Sequence, residues 1–190
     1  MTVKTILLFV ISLIATAAFF ILIFIFVHNG IVDAQNYVEE AKAQISTVCQ
    51  RRLDLMPNLI ATVKGYAAHE KEVLTEVTRA RANAKTTLER IAKEGLTNEN
   101  MKAFEKSQNQ VTSSVRGIFA LVENYPDLKA STNFLTLQDQ FEGTENRIAV
   151  ARQRFNASVR NYNAKIEKFP GVIIAPIFGY RPSGYFEASE

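Results

Sequence analysis

Residues 5–27 contain no charged side chain and consist mostly of Ile, Leu, Phe, Val and Ala. An α-helix needs about 20 such residues to cross a bilayer, so this run is long enough to span one. The competing reading is a cleaved signal peptide, whose apolar core runs to about 7–15 residues. This stretch exceeds that, although Val32-Asp-Ala34 resembles a small-residue cleavage site, and a retained anchor is expected. Lys4 lies on one side of the run, and Lys42 is the only basic residue between His28 and Thr47 on the other. Positive charge near the N-terminus favours a cytoplasmic end and an external body.

Everything after the anchor reads as helix. Glycine and proline are scarce (8 and 5 in 190 residues) and no stretch alternates as a strand would. Beyond Gly30, the one expected hinge, apolar residues recur at steps of three and four. Ile31, Ala34, Val38, Ala41, Ile45, Val48, Leu55, Leu59, Val63 and Tyr66 form a stripe that Arg52 interrupts. Pro57 lies inside it and removes the backbone bond to Leu53, so the helix is expected to bend there or end a turn earlier. Gly65 and the Tyr66-Ala-Ala-His69 segment offer a second turn. Val73, Val77, Ala80, Ala84, Leu88 and Ile91 define the next helix, which Gly95 ends. Thr97 is placed to cap a third, with Met101, Phe104, Val111, Val115, Ile118 and Val122 on its apolar face. It breaks at Tyr125-Pro126, and Asp127 or Ser131 caps the helix after the break. The last helix carries Phe134, Phe141, Ile148, Phe155, Val159, Tyr162, Ile166 and Phe169 on one seam, stopped by Pro170 and Gly171.

The expected fold is therefore all-α: an N-terminal transmembrane helix followed by an antiparallel up-and-down bundle. The bundle has four helices, or three if residues 31–94 form one continuous helix. Its parts are a short tail (1–4), the span (5–28), the bundle (31–169) and an apolar Pro/Gly-containing C-terminal tail (170–190).

Gln138, Glu145 and Arg152 fall at positions expected to face the bundle. A buried charge costs several kcal/mol unless it is paired, and Glu145 and Arg152 are two turns apart, beyond the reach of a one-turn contact. Partners from another helix are needed, and Arg51, Arg52, Asp54 and Asn58 are the candidates. The resulting network either fixes helix register or lines a polar pocket. In the tail, both bundle topologies return Val172, Ile173, Ile174, Ile177 and Phe178 to the membrane end, where they either contact lipid or plug the bundle. Arg160, Lys165, Lys168 and Arg181 would add attraction to anionic lipid.

Known chemistries find little here. The lone cysteine, Cys49, excludes an intramolecular disulfide, and with two histidines no four-ligand zinc site can form. A buried, inert thiol is expected. His69-Glu70 begins a zinc-protease pattern, but Val73 stands where the second histidine belongs. A di-iron bundle would need a glutamate at position 66, which is tyrosine. His28 reads as an interfacial residue. A net charge of +3 with no basic block interleaved with aromatics does not point to nucleic acid. Neither catalysis nor a cofactor is expected.

Arg51-Arg-Leu-Asp-Leu-Met-Pro-Asn-Leu-Ile60, Val63-Lys-Gly-Tyr66, His69-Glu-Lys-Glu72 and Ala80-Arg81 resemble the hallmark of the LemA family. So do Glu123-Asn-Tyr-Pro-Asp-Leu-Lys129, Phe134-Leu135, Glu142-Gly-Thr-Glu-Asn-Arg-Ile-Ala-Val-Ala-Arg152, Phe155-Asn156, Tyr162-Asn163, Phe169-Pro170, Phe178-Gly179 and Tyr185-Phe186. The likeness covers roughly residues 31–187 and departs at Cys49-Gln50, where the family has a leucine-containing stretch. It implies a bacterial membrane protein with an N-terminal helix and a four-helix bundle, and brings no catalytic residues with it. The family's N-terminus is described as external, opposite to the charge argument. The expected role is a membrane scaffolding or interaction module whose partners are the lipid bilayer and either copies of itself or another membrane or envelope protein. The alternatives are a ligand-sensing or carrier bundle built on the Gln138/Glu145/Arg152 face, and an enzyme of unfamiliar type.

Overall fold

A computed structural model describes residues 3–95 and 97–186 of the chain. The remaining residues of the expected terminal tails, 1–2 and 187–190, lie outside the described residues. The secondary structure is helical among the described residues: α1 (Val3–Tyr66), α2 (Lys71–Glu94), α3 (Asn98–Val122), α4 (Pro126–Lys129), α5 (Thr132–Glu167) and α6 (Gly171–Ile174). The chain forms two compact units, and α1 and α5 contribute to both: Glu40–Ala157 with Ser183–Glu190, and Met1–Glu39 with Ser158–Pro182.

The first unit is an up-and-down four-helix bundle. Its core draws Leu53, Met56, Leu59 and Val63 from α1, Leu74, Val77, Ala80 and Ala84 from α2, Val111, Val115, Ile118 and Val122 from α3, and Phe134 and Phe141 from α5. Leu128 of α4 closes one end of this cluster. Ile45, Leu88, Ile91, Phe104 and Phe155 gather at the other. Short turns make neighbouring helices antiparallel. Ala67 and Glu70 continue the hydrogen bonding after α1, with Ala67 N donating to Val63 O (2.8 Å). Gly95 ends α2 at φ 82°, a left-handed angle that glycine takes without a Cβ penalty, and its N–H reaches Ile91 O. Thr97 caps α3 by accepting a hydrogen bond from Asn100 N (3.1 Å). Pro126, which cannot donate, stands at the first turn of α4.

Several sequence expectations are corrected. The three-helix alternative fails, because α1 ends at Tyr66 and a turn precedes α2. Gly30 does not break α1, and Pro57 does not end it. The carbonyl that Pro57 leaves without its intrahelical donor, Leu53 O, accepts instead from Arg81 Nε of α2 (3.0 Å). The buried stripe of α1 also runs differently: Ile45, Cys49, Arg52, Met56, Leu59 and Val63 are buried, whereas Tyr66 is exposed and Val48 and Leu55 are half-buried. Arg52 does not interrupt the seam but occupies one of its positions. In α5 the seam uses Phe134, Leu137, Phe141, Thr144, Ile148, Ala151 and Phe155, and Phe169 is 80% exposed beyond the helix end.

In the second unit, α1 exposes Leu7, Phe9, Phe19, Leu22, Phe26 and most of the side chains between them. One helix among the described residues is thus long and apolar enough to cross a membrane. At the C-terminal end of this apolar stretch it packs against the end of α5, α6 and the residues after α6. Gly171 approaches α5 so closely that a Cβ there would overlap the Lys165 carbonyl oxygen. That approach buries Ile174 and Ala175. The Phe178 ring lies 4.3 Å from that of His28 and 5.8 Å from that of Phe24, and Tyr162 O–H donates to Arg181 O (3.1 Å).

Candidate functional site

Halfway along the bundle the apolar core gives way to a polar layer. Arg52 of α1 is only 2% exposed. Its Nη2 donates to Gln108 Oε1 and to the Gln108 carbonyl oxygen (3.3 Å) on α3. Its Nη1 donates to Thr112 Oγ1 (3.1 Å) and reaches Glu145 Oε2 of α5 at 3.5 Å. Thr112 in turn donates to Glu145 Oε1 (3.3 Å), and the Thr87 hydroxyl of α2 meets that of Ser107 at 2.7 Å. Every long helix therefore contributes a polar group to this part of the bundle.

The pairing is lopsided. The Glu145 side chain is 50% exposed, so water shares the work of stabilising it, while the guanidinium is enclosed. Arg52 Nε and Gln108 Nε2 meet no acceptor among the described residues. Burial lowers the Arg52 pKa, and Cys49 and Glu145 oppose that shift. An arginine so placed still keeps its charge at neutral pH. Burial pushes the Cys49 thiol up to about 11, against the pull of Arg52 and Arg152. A thiol held this far from its thiolate is a poor nucleophile.

Of the residues expected to form one network, the structure brings Arg52 and Glu145 together and leaves the others apart. Arg51, Asp54 and Asn58 are exposed, and Asp54 accepts from Gln50 Nε2 (2.7 Å). Gln138 is half-buried and donates to Glu142 (3.0 Å). Arg152 is half-buried, and its guanidinium lies 5.2 Å from the centroid of the Phe186 ring, with Nε enclosed and unpartnered. The reason is register: Leu137, Thr144 and Ala151 take the inward positions, and a shift of one residue turns a helical side chain by about 100°. Gln138, Glu145 and Arg152 flank the seam rather than fill it. Gln108 and Thr112 are absent from the network expected on sequence grounds. Their only signal there is the missing apolar residue between Phe104 and Val111.

Phe186 completes the bundle end away from α4. It is 5% exposed, with its ring 5.2 Å from that of Phe155 and 5.9 Å from that of Phe104. Asn156 clamps its backbone, donating through Nδ2 to Phe186 O (3.0 Å) and accepting from Phe186 N (2.9 Å). At the α4 end, Tyr125 O–H donates to Glu70 Oε1 (2.8 Å) and lies 2.6 Å from His69 Nε2. The hydrogen bond to Glu70 raises the Tyr125 pKa. The His69-Glu70 pair thus ties the α1–α2 turn to the segment before α4.

The expected tail residues divide by exposure. Val172, Ile173, Ile177 and Phe178 are exposed, and Ile174 is buried. Beside them, Lys165 Nζ donates to Gly30 O (2.7 Å). A groove of about 600 Å³ opens there, lined by Phe26, Asn29, Gly30, Asp33, Lys165 and Lys168 among others.

The chain is 24% identical over 174 residues to the Magnetosome protein MamQ of Magnetospirillum gryphiswaldense, an alignment covering 84% of this chain and 64% of that protein. The chain thus spans a little under two thirds of that relative. Its identity to the Magnetosome protein MamQ 2 of Paramagnetospirillum magneticum is 24%, over 95% of this chain and 71% of the relative. Its identity to Protein LemA of Metamycoplasma hominis is 25%, over 96% of this chain and 78% of the relative. The family model described as "LemA family" matches residues 41–190, most of the chain and nearly all of the four-helix bundle, and the chain belongs to that family.

Proposed function

We propose that this chain is a membrane-tethered interaction module of the bacterial cell membrane, crossing it once and assembling with copies of itself or with another membrane or envelope protein. The observation that carries this reading is the continuity of α1. One helix presents an exposed apolar surface through Phe26 and then supplies the buried seam of the bundle from Ala41 to Val63. The same helix thus belongs to the apolar span and to the bundle. The bundle also offers a surface for assembly. Between α1 and α5 runs an open groove of about 640 Å³, lined by Val48, Val150 and Ala151 together with Glu40, Arg147 and Arg154. A lining that mixes apolar side chains with both signs of charge has the composition of a protein interface.

Cross-linking in native membranes followed by native mass spectrometry tests the proposal. The expected result is a discrete assembly, homomeric or with a reproducible partner, that weakens when Val150→Glu places a charge in the α1–α5 groove. Monomers alone, with no co-purifying protein, would overturn it.

A further inference from the structure

We propose that the groove beside the end of the apolar span binds a single phospholipid of net charge −1 with a hydroxyl-bearing headgroup. This rests on the membrane-spanning reading of α1. At 1.5 Å per residue, residues 7–27 match a hydrocarbon core of about 30 Å, which sets Asn29, Gly30 and Asp33 at headgroup level. Lys165 is held at that level by its bond to Gly30 O (2.7 Å), which occupies one of its ammonium protons and leaves two to donate. Lys168, just past the end of α5, lines the same groove of about 600 Å³. Asp33 is the acidic residue in its lining, so two ammonium groups face one carboxylate. That balance matches one phosphate, with Asp33 left to accept from headgroup hydroxyls.

The apolar surroundings fit the rest of the lipid. Phe26 and Phe169, both strongly exposed, line the groove and offer surface to acyl chains. Val172, Ile173 and Ile177 extend the exposed apolar surface along the tail. The close approach of Gly171 to α5 holds that surface in place. A water-facing cluster of this kind would be costly, whereas at an acyl–headgroup boundary it is stabilised.

The test uses the full chain in nanodiscs of phosphatidylglycerol, phosphatidylethanolamine or phosphatidylcholine, released into the gas phase for native mass spectrometry. Co-elution of protein with the discs checks the spanning reading separately, and its absence would overturn that reading and this proposal together. Given insertion, the expected result is one retained phosphatidylglycerol, with the zwitterionic lipids lost. The pair Lys165→Gln, Lys168→Gln should reduce retention by about thirty-fold, the scale set by removing two charges at an anionic surface. Lys168→Gln alone, which spares the bond to Gly30, should give a partial loss and guards against misfolding of the double variant. Equal retention of a zwitterionic lipid, retention unchanged in both variants, or displacement of the lipid by millimolar inorganic phosphate would each overturn the proposal, the last by showing that free phosphate is the ligand.

Discussion

Arg52 brings a full charge to a position that a packing residue would normally fill. Its worth depends on what remains when it is removed. Arg52→Ala leaves Gln108 Oε1 without its donor and opens a cavity among Cys49, Leu53 and Met56, while Glu145, half in water, loses little. The cost is expected to be about 2–4 kcal/mol, read as a lower melting temperature. An unchanged melting temperature would mean that the polar layer serves something other than stability. Replacing both partners should behave differently. Arg52→Met with Gln108→Leu fills similar volume without polar atoms, and such exchanges are often neutral or stabilising. The double variant is therefore expected to melt near or above the parent protein. If it does, the layer contributes register and specificity rather than net stability. Glu145→Gln should change stability by less than about 1 kcal/mol, because the carboxylate is well solvated.

At the scale of the element, the question is how α1 runs through Pro57. The helix lacks one backbone donor there, and Arg81 supplies it from α2 by binding Leu53 O. A double-mutant cycle separates this compensation from ordinary packing. In unfolding by urea, Arg81→Met is expected to cost about 1–2 kcal/mol with Pro57 present and much less in the Pro57→Ala background, where the backbone N–H restored by the substitution takes over the carbonyl. Equal costs in both backgrounds would show that the two residues act independently. This pairing also shows where sequence reading stops. Periodicity locates the long helices, and all of the apolar positions expected in α3 are buried. The break that Pro57 signals is real as a missing hydrogen bond, yet its repair comes from a distant residue on the next helix, which no local pattern displays. Arg52 misleads in a related way. A charge in an apolar stripe reads as an interruption, so periodicity alone assigns the seam to Val48 and Leu55 instead of Cys49 and Met56. Gln108 and Thr112 on α3, which look like an ordinary polar turn, join Glu145 in explaining why a charge is tolerated there.

At the scale of the whole molecule, chain ends matter more than their length implies. Beyond Pro182 the chain rejoins the bundle, and Phe186 fills the end where Ile45, Leu88, Ile91, Phe104 and Phe155 would otherwise face water. The aromatic ring and the Asn156 clamp form one device, because both Asn156 bonds go to the Phe186 backbone itself. Phe186→Ala removes a buried phenyl ring at a cost of about 3 kcal/mol, and the loss should free the segment from the clamp. Asn156→Ala should cost about 1–2 kcal/mol alone, since it strips two backbone groups of their partner. If docking is all-or-none, the double variant will be no less stable than Phe186→Ala by itself, because the clamp has nothing left to hold. Calorimetric melting of the three variants gives the energies, and hydrogen exchange at the Phe186 amide reports docking directly. Strict additivity, with a protected amide at position 186 in Phe186→Ala, would mean that Asn156 orders the backbone without help from the ring.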